Sequence, residues 1–117
     1  MAYICFSAPI LPGKLDRMKN LAGESAAKWG PDAHRESRVR LGITSERAFH
    51  QSTPMGDFAV ALLEGADPAA SMATLAASTH PYDVWFKEWV KDIHGIDFSQ
   101  AQGPPATQVF DLGNVKA

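Results

Sequence analysis

One cysteine, Cys5, stands alone in 117 residues. No disulfide can close within the chain, and a reducing compartment is the natural expectation. Neither sign of charge dominates: 11 Lys and Arg face 13 Asp and Glu, a formal net charge of −2. Such a balance projects no long-range field toward nucleic acid or an anionic bilayer, and neither is expected as a partner. Long hydrophobic runs are also missing. The first apolar stretch, Ala2 to Leu11, lacks a basic leader, is interrupted by Pro9 and is followed by Pro12. It falls far short of the roughly 20 residues that span a bilayer, and a soluble, cytoplasmic protein with no membrane association is expected. Phosphate loop, nucleophile elbow and glycine-rich dinucleotide fingerprint are all absent. His34, His50, His80 and His94 form no i, i+4 helical pair and have no cysteine set nearby, so neither a metal site nor a bound cofactor is expected. With no repeat, low-complexity tract or linker, residues 1–117 read as one domain, 45% hydrophobic and 21% charged.

Aromatic weight, by contrast, is concentrated. Between Pro81 and Phe98, the residues Tyr82, Trp85, Phe86, Trp89, Val90, Ile93 and His94 recur at helical spacings of three and four. They predict a helix whose apolar side must cover a sheet, a second subunit or a flat ligand. Ser78 to His80 supply its cap, Pro81 its first turn, Asp83 a charge suited to the positive dipole end, and Gly95 its terminator.

Elsewhere the local signals alternate between strand and helix. Tyr3 to Ile10 predicts a strand ahead of the Pro12-Gly13 breaker. One helix from Lys14, with Leu15, Met18, Leu21 and Ala22 on one face, is expected to run to Gly30-Pro31, and a second, polar helix from Pro31 to Leu41 closes at Gly42. Arg47 to Thr53 and Phe58 to Glu64 predict a hairpin across Pro54-Met55-Gly56-Asp57, a turn longer than the tightest kind. Phe58-Ala59-Val60-Ala61-Leu62-Leu63 does not alternate, as expected of a central strand covered on both faces. Asp67-Pro68 starts a short helix through Met72 and Leu75. After Gly103-Pro104-Pro105, the segment Thr107 to Leu112 predicts a polar edge strand.

This order is that of an α+β protein on the ferredoxin-like βαββαβ plan, an antiparallel sheet with helices on one face. Its first and third strands are expected to be central and parallel. Because both read as buried on two sides, a second copy packed sheet against sheet is expected to cover the free face, giving a homodimer. The motifs Arg40-Leu41-Gly42-Ile43-Thr44, Gly56-Asp57-Phe58, Leu63-Glu64-Gly65 with Asp67-Pro68, Trp85-Phe86-Lys87, Ile93-His94-Gly95-Ile96-Asp97 and Gly103-Pro104-Pro105 cover most of the chain. In them it resembles the dimeric α+β-barrel proteins, which include antibiotic-biosynthesis-type monooxygenases, and more closely a small uncharacterised bacterial family within that superfamily. The resemblance implies a fold and a dimer, with no assigned reaction.

In that superfamily the pocket lies between helices and sheet. The resemblance therefore implies Tyr82, Trp85, Trp89 and His94 as ligand-lining residues and His50, on the edge strand, as the catalytic candidate. His50 alternates with Ala48 and Ser52, small residues that leave room for a ligand, and an imidazole titrates near neutrality. The expected function is to bind or convert a small, partly aromatic molecule. Plainer readings stand beside it: a structural His50, a dipole-stabilised His94 at a helix C-terminus, and tryptophans that are core. Arg35, Arg38, Arg40 and Arg47 suit a planar oxyanion, or a solvated charged face. A non-catalytic association module is the alternative function, and it predicts a filled interior with Trp85 or Trp89 exposed. A haem-binding monooxygenase-like enzyme is another. Haem-degrading members use a helix histidine with a tryptophan, to which His94 and Trp85 are similar, and an asparagine on the first strand, where this chain has Cys5 and Ser7.

Overall fold

Three strands and five helices make up residues 2–100 and 103–113, the residues described by the computed structural model. In chain order they are β1 (Ala2–Pro9), α1 (Leu15–Lys19), α2 (Leu21–Trp29), α3 (Ala33–Leu41), β2 (Ile43–Thr53), β3 (Gly56–Gly65), α4 (Pro68–Ala77) and α5 (Pro81–His94). The sheet order is β1-β3-β2, with β3 antiparallel to both neighbours. The expected parallel pairing of the first and third strands is therefore corrected. A helical crossover returns β2 in the direction of β1, and the hairpin then reverses β3 between them.

The register assigns each residue a face. Ile4, Leu63 and Glu46 form one row across the sheet, Phe6, Ala61 and Ala48 the next, and Ala8, Ala59 and His50 the third. These rows face the helices. Ile4, Phe6 and Ala59 pack against a core of Ile10, Leu41, Ile43, Leu63, Leu75, Tyr82, Phe86, Trp89, Val90 and Ile93. Half of that core comes from α5. His80 caps this helix, accepting from the Tyr82 amide at 3.2 Å, and Gly95 closes it in the left-handed region at φ 71°. The Asp67 cap on α4 forms as the sequence predicts, accepting from the Ala70 amide at 3.1 Å.

Other expectations are corrected. The helix expected to run unbroken from Lys14 divides at Asn20 into α1 and α2. The hairpin turn is the tight, two-residue Pro54-Met55, held by the Thr53 hydroxyl, which accepts from the Met55 amide and donates to the Gly56 carbonyl. Within the chain the helices cover one face of β3 and leave the other open, the face expected to meet a second copy. Tyr3 (49% exposed) and Phe49 (53% exposed) lie on the sheet's open side, and Phe58, Val60 and Leu62 beside them are only half-buried. Thr107 to Leu112 forms no strand. Among the described residues, a bridge joins the C-terminal segment to the sheet, in which the Ala106 amide donates to the Cys5 carbonyl at 2.7 Å. No helix is long and apolar enough to cross a membrane among the described residues.

Candidate functional site

Where α1, α2 and the start of α3 pass over β2, the small side chains of the sheet leave a cleft of about 480 Å³. Met18, Leu21, Ala22, Pro31 and Ala48 give it an apolar lining, and its polar groups are Lys19, Ser25, His34 and His50. The reason is local. Alternation along β2 turns Ala48 and His50 to the helix side, and opposite them on β3 stand Ala61 and Ala59, too short to fill the gap.

Two histidines thus share one cleft, and each is backed by a carboxylate. His50 Nε2 lies 2.8 Å from Asp57 Oδ1. His34 Nε2 lies 2.5 Å from Glu46 Oε1, and its Nδ1 is 2.7 Å from the Tyr82 hydroxyl. That hydroxyl is in turn 2.9 Å from Ser25 Oγ on the cleft wall. Behind the chain, Arg38 grips Glu46 through Nε at 3.2 Å and a terminal nitrogen at 3.0 Å, its guanidinium 4.3 Å from the centre of the Phe86 ring.

Burial acts to raise the Glu46 carboxyl, but the His34 hydrogen bond and the charge and fork of Arg38 outweigh it and hold the group at about 2. Burial pushes the Tyr82 phenol up despite the hydrogen bond to Ser25. Glu46 is therefore a pure acceptor and Tyr82 keeps its proton, which leaves the direction of the chain to the charge of His34. With His34 neutral, its Nε2 donates to Glu46, Tyr82 donates to Nδ1, and Ser25 donates to Tyr82. With His34 protonated, Nδ1 donates to Tyr82, Tyr82 donates to Ser25, and the Ser25 proton is free for the cleft. A proton on His34 is thereby relayed as a donor or acceptor presented at Ser25.

The residues singled out from sequence divide between two places. His50 lines the cleft. Tyr82, 1% exposed, stands behind its wall and reaches it through Ser25 and His34. Trp85 packs against Trp29 and Tyr82 with ring centres 6.5 and 5.5 Å apart. Trp89 is buried and donates through Nε1 to Glu24 at 3.2 Å. His94 is buried, its ring edge-on to Trp89 and its Nδ1 2.8 Å from the Pro9 carbonyl; desolvation lowers its pKa, partly offset by that carbonyl. None of these three is among the cleft-lining residues. The arginines are mostly engaged: besides Arg38, Arg40 pairs with Asp83 at 3.2 Å and Arg47 with Glu64 at 3.6 Å. Arg38 is buried rather than part of a solvated face.

Sequence reading passed over Ser25, Glu46 and Lys19 as site residues and treated His34 only as a metal-ligand candidate. Nothing in the spacing joins residues 25, 34, 46 and 82, and only the even positions of β2, Glu46, Ala48 and His50, share a face that alternation could have exposed. Among the described residues no group of three His, Cys, Asp or Glu side chains is placed to hold a metal ion. Compared with protein-family models, curated proteins and solved structures, the chain finds no match.

Proposed function

We propose that this chain binds, and through acid–base chemistry converts, a small, largely apolar molecule in the cleft between its helices and β2. The observation that carries the reading is the pairing of two carboxylate-backed histidines, His34 and His50, in a largely apolar cleft of about 480 Å³. That volume lies within the range of small-molecule sites, which are apolar with a few convergent polar groups. His50 is the general base in this reading, and His34 with Ser25 and Tyr82 is the second proton-handling group. Against the association module stand the open cleft and a Trp89 only 6% exposed. Against the haem reading stands His94, buried and bonded to a carbonyl away from the cleft.

The domain is read here as ferredoxin-like and homodimeric. Support comes from the strand order β1-β3-β2 and from the Cys5–Ala106 bridge on the free edge of β1, where that plan has its fourth strand. The open sheet face with Tyr3 and Phe49 supports the dimer.

Fragment screening by NMR tests the function. Bound fragments are expected to shift the resonances of Met18, Ala22, Ala48, His34 and His50 together, and His50→Ala is expected to weaken binding or turnover in a folded protein. A screen in which no fragment moves these signals, or a folded His50→Ala protein of unchanged affinity and turnover, would sink the proposal for that residue or for the cleft.

A further inference from the structure

The charges around the cleft select the class of molecule, an inference that rests on the binding reading above. Among the described residues no carboxylate lines the cleft. The two that touch its lining, Glu46 and Asp57, are hydrogen-bonded to His34 and His50, and Glu46 is further neutralised by Arg38. Lys19, exposed at the cleft, has no ion-pair or hydrogen-bond partner among the described residues. Much of the remaining lining is apolar: Met18, Leu21, Ala22, Pro31 and Ala48.

We infer that the ligand is a small organic anion with an apolar body, an aromatic or alicyclic monocarboxylate, whose carboxylate meets Lys19. The cleft of 480 Å³ equals roughly 16 waters at about 30 Å³ each, room for a one- or two-ring acid. A lysine ammonium, unlike an arginine fork, is a point charge that accepts a carboxylate in many orientations. It suits a site whose shape comes from its apolar walls.

The probes are three molecules of matched shape, naphthoate, naphthylmethanol and naphthylmethylammonium, titrated at low salt against the full chain with the Ala22, Ala48 and Met18 methyl signals as readout. Naphthoate is expected to bind about 5-fold more tightly than the alcohol, the scale of one partly exposed ion pair. The ammonium should bind most weakly. Lys19→Met, at an exposed position, is expected to bring the acid-to-alcohol ratio below about 2-fold. Equal binding of acid and alcohol at the cleft signals would overturn the anion inference and leave the cleft as a binding site. Preference for the ammonium would overturn it in favour of a field set by Asp57. A ratio unmoved by Lys19→Met would remove Lys19 as the partner, and no shift with any probe would overturn both readings.

Discussion

At the scale of single residues, Glu46 carries the most electrostatic weight. Its side chain keeps 27% of its exposure, yet His34 and Arg38 saturate its oxygens. The pKa near 2 lies below the 4.5 of an ordinary glutamate, so the stabilisation is complete above about pH 4.5 and is lost as pH falls toward 2. Discounted for solvent screening at this exposed residue, the contribution is of order 1–2 kcal/mol. Urea titrations of wild type and Glu46→Gln are expected to differ most near neutrality and to converge toward pH 2.5, since the protonated carboxyl and the amide are both neutral. A gap that stays constant with pH would mean that Glu46 acts by packing alone. Asp83, lowered against its burial by Ser37, Ser78 and Arg40, adds acid sensitivity to both proteins equally.

Among the elements, the start of β2 decides which residues can meet. A register shift between Ile43 and Ser45 resets the alternation, so that buried Ile43 and the Glu46-Ala48-His50 series lie on the same side of the sheet. Without it, either Ile43 would leave the core or His50 would face away from the helices. Gly65 lies opposite Ile43, and a Cβ there would stand 2.5 Å from the Gly42 carbonyl oxygen. That oxygen is backbone and cannot swing aside. Gly65→Ala is therefore expected to cost about 1–3 kcal/mol by chemical denaturation, as overpacking does. It should also disturb the β2 amide signals as far as Glu46. A variant as stable as wild type would show that the α3–β2 junction yields more readily than its geometry implies.

For the molecule as a whole, the open sheet face matters most. The chain exposes 7767 Å², against about 6,200 Å² for a compact monomer of this size. Part of the excess is the C-terminal segment, where Val109, Phe110 and Leu112 stand free, and part is the face bearing Tyr3 and Phe49. Sedimentation is expected to find a dimer that Phe49→Lys dissociates with its helical signal intact; a monomeric wild type would leave that face without the second copy. The sequence by itself determined the elements whose cause is local: the capped aromatic α5, the Asp67-Pro68 start of α4, the Gly42 and Gly95 terminators, the hairpin, and a His50 in line with small residues. It misjudged the strand direction, the break at Asn20, and the C-terminal strand, because pairing partners and sheet order are not encoded in any one segment. Only the tertiary structure decided the site. Ser25, His34, Glu46 and Tyr82 come from four elements, and a hydrogen-bond chain among them exists only once the packing of α2, α3, α5 and β2 has fixed their distances.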